Sequence, residues 1–261
     1  MDTQVVILCG GMGTRLREET EYRPKPLVDI GGKPILWHIM KIYSSFGFND
    51  FVLCLGYKGH MIKDYFLNYR VMTSDFTLRA GRREEIQYHN SGRIEDWTIT
   101  FAETGLEANT GARVKRIEPY VRGDNFMLTY GDGVADLDVA KLWEFHAQHG
   151  KIGTVTGVLP FSRYGELAVD GGRVTVFSEK PQDEEGYISG GFFIFQRRFF
   201  DYLRADDDCV LESEPLGRLA QEGQLMSYLH RGFWRCMDTY RDFVALNDLW
   251  KKQAPWKVWE E

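Results

Sequence analysis

The stretch Val5-Val6-Ile7-Leu8-Cys9-Gly10-Gly11-Met12-Gly13-Thr14-Arg15-Leu16 decides how the rest of the chain is read. Its first four residues form an uninterrupted apolar run, the pattern of a strand buried on both faces of a parallel sheet. Three glycines within four residues then make a tight turn whose bare backbone N–H groups can converge on an anion. Arg15 adds a permanent, fork-shaped charge that suits a phosphate. Neither of the two best-known nucleotide loops is present. A dinucleotide fingerprint starting at Gly11 needs Gly or Ala where Leu16 stands, and no Gly-Lys-Ser/Thr triplet follows to complete a Walker loop. Taken alone, the glycines also fit a purely structural turn.

The next segment, Arg23-Pro24-Lys25-Pro26-Leu27-Val28, weighs against that plain reading. Two prolines stiffen the backbone on either side of Lys25 and fix where its ammonium points. Together, Gly-Gly-Met-Gly-Thr-Arg and Arg-Pro-Lys-Pro-Leu-Val resemble the signature of the sugar-1-phosphate nucleotidyltransferases. The likeness continues through Lys33-Pro34-Ile35-Leu36-Trp37-His38, Tyr130-Gly131-Asp132-Gly133-Val134-Ala135-Asp136 and Ala254-Pro255-Trp256-Lys257, so it runs the length of the chain.

Composition bounds the alternatives. A chain of 261 residues, 43% hydrophobic and 14% aromatic, can bury a substantial core and is not a disordered polymer. A formal charge of −6 gives no electrostatic footprint for nucleic acid or an anionic membrane, so a phosphorylated substrate must be held by local cations. The apolar runs are short strands, and none is long enough to span a bilayer. The four cysteines show no metal or redox spacing, and the chain enters a strand without a signal-peptide pattern; a reduced cytoplasm is the expectation.

Along the chain, strand and helix patterns alternate. Ile35, Ile39, Ile42, Tyr43 and Phe46 recur at helical spacing, with His38 among them as a packed, hydrogen-bonded residue. Asp50–Leu55 reads as a second buried strand, and right-handed crossovers place it beside the first in one parallel sheet. Between residues 74 and 101, half-exposed alternation around Arg79, Arg82, Arg83, Glu84 and Glu85 predicts an inserted antiparallel element within a single domain, 1–261. The mixed charges there fit a solvated face or a subunit contact. Thr110 is placed to cap a helix carrying Val114, Ile117 and Val121. Arg113, a cation in that helix's first turn, is misplaced for the helix dipole and points to a ligand nearby. Asp132, between glycines at a strand's end, lies where open α/β sheets place ligands, although an Asx-turn would use the same residues. Asp136 and Asp138 are expected to cap the following helix. Gly190-Gly191 leads into another apolar strand with room for close backbone approach.

The expected fold is α/β: a Rossmann-like, mixed, mainly parallel central sheet flanked by helices, with a small antiparallel insertion. The resemblance implies an Mg²⁺-dependent transfer of a cytidylyl group from CTP to α-D-glucose 1-phosphate, giving CDP-glucose for deoxysugar and polysaccharide synthesis. In that scheme Leu8, Gly10, Gly11, Met12, Gly13 and Thr14 cradle the nucleotide, with Thr104, Thr110 and Arg113 near it. Arg15, Lys25 and Asp132 carry the catalysis, and Asp132 with Asp238 holds the metal. Gly165, Glu179, Lys180 and Gly191 bind the sugar phosphate. Cys9, Ala112 and Glu166 depart from the family pattern. The likeness and the aromatic-rich C-terminus imply a homo-oligomer, a hexamer being one candidate. A pyrophosphorylase using UTP or dTTP would share nearly all the phosphate machinery. An inactive regulatory or scaffold protein is opposed by the full set of charged residues, and a Rossmann dehydrogenase by Leu16.

Overall fold

All five residues of Gln4–Leu8 are buried, as the apolar run requires, and this strand, β1, lies inside the sheet. The computed structural model describes residues 3–81, 85–90, 95–160, 166–171, 173–178 and 186–260. The other sheet strands are β2 (Asp50–Leu55), β3 (Thr98–Glu103), β4 (Asn125–Tyr130), β5 (Gly153–Val158), β6 (Ile188–Gln196) and β7 (Leu225–His230). Their order across the sheet is β7-β5-β6-β4-β1-β2-β3. Neighbours are parallel except on either side of β6, which runs against β4 and β5. The sheet is therefore mixed and mainly parallel, as expected.

Connectivity positions the site. From β1 the chain steps outward through β2 to β3, then returns to place β4 on the other side of β1. The register aligns Leu8 with Cys54 on one side and with Tyr130 on the other, so the carboxyl ends of β1, β2 and β4 finish level. A crevice opens where the direction of winding reverses, outside those ends.

Alternation along β1 divides the core. Val5 and Ile7 face helix α1 (Ile35–Ser45) and the C-terminal helix α6 (Tyr240–Lys252), with Leu246 and Trp256 in the same cluster. Val6 and Leu8 face α3 (Thr110–Arg116), where Ala112 and Val114 pack with Phe199 and Phe200. Helix α2 (Gly59–Leu67) joins the first cluster through Ile62. Helix α4 (Val139–His149) is capped by Asp138, whose carboxylate accepts from Lys141 N at 3.0 Å. Asp136 does not share that duty; its Oδ1 stands 2.8 Å from His230 Nε2. Helix α5 (Glu214–Gln221) lies beside β7. Among the described residues no helix is long and apolar enough to cross a membrane.

The insertion is narrower than the sequence pattern suggests. Asp75–Leu78 and Ile86–Asn90 do form an antiparallel pair. Residues 98–101, read with them, instead open β3, the parallel edge strand of the main sheet, with Ile99 opposite Phe51. Half-exposed alternation is common to a hairpin and to a sheet edge, so the pattern alone could not choose between them. Arg82, Arg83 and Glu84 lie outside the described residues.

Candidate active site

The glycine loop leaves β1 at Cys9 and crosses the mouth of the crevice. Gly10 is fixed by close approach: a Cβ there would come within 2.2 Å of the Arg113 guanidinium. Gly13 has φ +62°, and a Cβ would also strike the Thr20 methyl at 2.8 Å. Thr20 holds the turn by donating its hydroxyl to Gly13 O and Leu16 O, each at 3.0 Å. Gly11, Gly13, Thr14 and Arg15 then line a cavity of about 310 Å³, with Lys25 and Thr110 on other walls. Leu8, Cys9 and Gly10 complete its floor, whereas Met12 is exposed on the outer side of the loop. Burial pushes the Cys9 thiol well above its ordinary pKa, which leaves it protonated and inert.

Lys25 opens a short 3-10 turn, Lys25–Leu27, entered through Pro24 and stiffened by Pro26. Its Nζ reaches Asp132 Oδ2 at 2.5 Å and Asp238 Oδ1 at 2.7 Å. Arg15 donates to the other oxygen of Asp238 at 3.0 Å. These acids are far apart in sequence and are brought together by a two-stranded ladder. Gly133–Ala135 pairs with Trp234–Cys236, Cys236 lies opposite Gly133, and Met237 N donates to Asp132 O at 2.8 Å. A capping box between Thr239 and Asp242 then starts α6 and fixes the backbone just after Asp238.

The cluster is balanced, two cations against two carboxylates. Burial pulls the Lys25 pKa down, but Asp132 and Asp238 outweigh it and hold the ammonium above the usual lysine value. Burial likewise pushes Asp238 up, and Lys25 with Arg15 overcomes this and keeps it below the usual carboxylate range. Both groups are charged at neutral pH. Among the described residues no group of three or more His, Cys, Asp or Glu side chains is arranged around one point. Two carboxylates converging on a single cation position do suit Mg²⁺, which takes few protein ligands and completes its octahedron with water and phosphate oxygens.

The residues expected beside the nucleotide behave differently from one another. Arg113 is almost fully buried, and its Nη atoms donate to Leu55 O, Gly105 O, Gly10 O, Leu106 O and the Thr104 hydroxyl at 2.6–3.2 Å. It ties the glycine loop to the ends of β2 and β3. Thr104, also buried, donates to Leu55 O at 2.7 Å and belongs to the same clamp. Thr110 does not cap α3, since Asn109 holds that position; its hydroxyl bonds Glu212 instead. Of the sugar-side expectations, Gly191 lines a second cavity of about 240 Å³ that shares Asp132 and Asp238 with the first. Gly165, Glu179 and Lys180 lie outside the described residues. The second cavity also uses Ser189, Trp234 and Cys236, which no sequence motif marked.

The chain belongs to the nucleotidyl transferase family, which it matches over residues 4–253. It is 49% identical to the glucose-1-phosphate cytidylyltransferase of Salmonella typhi, across 98% of this chain and 100% of that one. A probable glucose-1-phosphate cytidylyltransferase of Bacillus subtilis (strain 168) is 46% identical, again over 98% and 100%. In fold, the chain is similar to the crystal structure of HddC from Yersinia pseudotuberculosis, with a TM-score of 0.69 over 95% of this chain and 99% of that one at 24% identity.

Proposed function

We propose that the chain transfers a cytidylyl group from CTP to α-D-glucose 1-phosphate, giving CDP-glucose and pyrophosphate. The observation that carries this reading is the Lys25 ammonium bridging Asp132 and Asp238 beside the glycine loop. The base and sugar are taken from the full-length likeness to the cytidylyltransferases.

A phosphate monoester with a second pKa of about 6 is already largely dianionic at neutral pH, so its attack needs no general base. A sugar-phosphate oxygen bonds to the α-phosphorus, the bridge to the β-phosphate breaks, and its electron pair leaves with pyrophosphate. The obstacle is the meeting of anions, so catalysis consists of positioning and fixed positive charge. Gly10, Gly11, Gly13 and Thr14 cradle the triphosphate, Arg15 neutralises the leaving pyrophosphate, and Lys25 serves the transfer centre. Arg113 and Thr104 act at one remove, by holding the loop. Asp132 and Asp238 would hold Mg²⁺, which supplies charge neutralisation between the two phosphates when bound. Gly191 leaves room for the sugar, with Gly165, Glu179 and Lys180 assigned to the same substrate by resemblance. The same reading makes the chain one catalytic domain over residues 1–261 and a cytoplasmic homo-oligomer, a hexamer being one candidate; its product would feed deoxysugar and polysaccharide synthesis.

Pyrophosphate release across four nucleoside triphosphates and several sugar phosphates, with and without EDTA, tests this. CTP with glucose 1-phosphate should give the highest kcat/KM, by about tenfold or more, and EDTA should abolish turnover. A reversed ratio favouring UTP or dTTP would reassign the base and keep the reaction. Inactivity with every pair would favour a regulatory or scaffold protein.

A further inference from the structure

Four residues line both cavities: Arg15, Tyr130, Asp132 and Asp238. Three are charged and already placed in the transfer chemistry. Tyr130 is neutral, ends β4 two residues before Asp132, and has no part in the reaction so far.

Its ring is held from several sides. It lies directly on Gly191, where a Cβ would come within 2.4 Å of Cδ2 and 3.0 Å of Cε2. Phe193 packs at right angles to it, with centroids 6.0 Å apart. The phenol hydroxyl donates to Glu212 Oε1. Glu212 Oε2 accepts from the Thr110 hydroxyl at 2.6 Å, and Thr110 Oγ1 accepts from Leu211 N at 3.0 Å. One carboxylate therefore ties the end of β4 to the start of α3 across the cleft. Glu212 is itself exposed, so the contact contributes little stability; what it fixes is the angle of the ring.

We infer that Tyr130, pinned by Glu212, is the partition that sets the separation of the two substrates across the transfer centre. Tyr130 is the shared wall and Glu212 a positioning residue acting through it. The inference rests on the assignment of the two cavities to nucleotide and sugar phosphate. In-line displacement needs the reacting atoms about 3–3.5 Å apart, and a misplacement of about 1 Å can cost on the order of a hundredfold in rate. Loosening the partition should therefore lower kcat and leave ground-state affinity for each substrate nearly intact.

Tyr130→Phe keeps the ring and removes the donor; Glu212→Gln keeps the size and removes the charge. Both are assayed in the full-length enzyme with whichever nucleoside triphosphate the wild type uses best, so an error in base assignment appears in the wild-type panel and not in the variant ratios. Each substitution should lower kcat about tenfold or more while neither KM changes more than about threefold. The double variant should be about as slow as the slower single one, because both act through one contact. Unchanged kcat, a loss confined to the KM of one substrate, or multiplied losses in the double variant would overturn the partition. So would a lowered Tm with normal kcat, the mark of a merely structural brace. If Glu212→Gln folds poorly, Glu212→Asp replaces it, and Tyr130→Phe alone still decides. A wild type that turns over no pair overturns the inference together with the functional assignment.

Discussion

Arg113 carries a positive charge to the wall of the cavity beside the glycine loop and turns its Nη atoms toward backbone carbonyls. Its position in the first turn of α3 points to a ligand nearby, whereas in the structure its Nη atoms are taken up by the carbonyls of Gly10, Leu55, Gly105 and Leu106 and by the Thr104 hydroxyl. What the sequence could not reveal is that Gly10, Leu55, Gly105 and Leu106 present their carbonyls to one point, because that convergence depends on the level ends of β1 and β2. Lysine in its place keeps the charge and loses the fork. Arg113→Lys should destabilise the protein by about 2–3 kcal/mol in urea unfolding, since hydrogen bonds to a buried charge are worth about 1.5–3 kcal/mol each and only some can be remade. The KM for CTP should rise with it as the loop loosens. Normal stability combined with lost CTP binding would mean that the guanidinium touches the nucleotide directly.

Elements bring together what the sequence separates. The strand-loop-helix-strand opening, the Gly-Asp-Gly turn and the alternation of strands and helices were legible, because each is written in consecutive residues. The convergence of Asp132 and Asp238 on Lys25 was open only to resemblance, since it depends on the register of a short ladder between residues 133 and 236. Glu212 had no signal, as it sits in an irregular stretch without periodicity or motif. That stretch backs the cavity beside the glycine loop through its docking on α3, where Ala112 N donates to Cys209 O at 3.1 Å. Gly111 makes the docking possible: a Cβ would stand 2.9 Å from Cys209 O and 2.7 Å from its sulfur. Gly111→Ala should therefore cost about 1–3 kcal/mol and weaken CTP binding as the wall shifts. Gly217 in α5 offers the opposite case, with nothing within 4 Å of its would-be Cβ. Gly217→Ala should stabilise by about 0.5–1 kcal/mol and leave turnover unchanged. Urea midpoints measured side by side decide the pair, and a destabilised Gly217→Ala would show that the open space around it is not free.

At the scale of the whole molecule, the C-terminal segment closes over the first crossover helix through one imidazole. His38 on α1 is fully buried, and Trp37, Trp250, Trp256 and Trp259 surround its ring. Its Nε2 bonds Ile30 O at 2.8 Å and must carry the proton, because a carbonyl can only accept. Nδ1 is left to accept from the Trp256 indole N–H at 3.4 Å. A second proton would set two N–H groups against each other, so the arrangement requires neutral histidine. Burial lowers the His38 pKa to about 4, against smaller upward pulls from the Ile30 and Lys33 backbone and from Asp29, with the Lys33 charge adding to the downward pull. The unfolded chain has the ordinary value of about 6.5 and takes up the proton first. Stability from this site is thus fully present above about pH 6.5 and is lost as pH falls toward about 4, below which the loss is complete. At about 1.4 kcal/mol per pKa unit, the full loss is roughly 3–4 kcal/mol, most of it already incurred at pH 4. His146, bonded to Thr154 Oγ1 at 2.8 Å, is also lowered to about 4 by burial and then by His149, and it adds to the same slope. Carboxylates contribute to acid unfolding as well, so the clean measurement is a difference. Glutamine at position 38 can donate to Ile30 O without titrating. Between pH 7.5 and pH 4, the wild type should lose about 3 kcal/mol more unfolding free energy than His38→Gln. Parallel pH profiles for the two proteins would place the acid sensitivity elsewhere and leave the imidazole as packing alone.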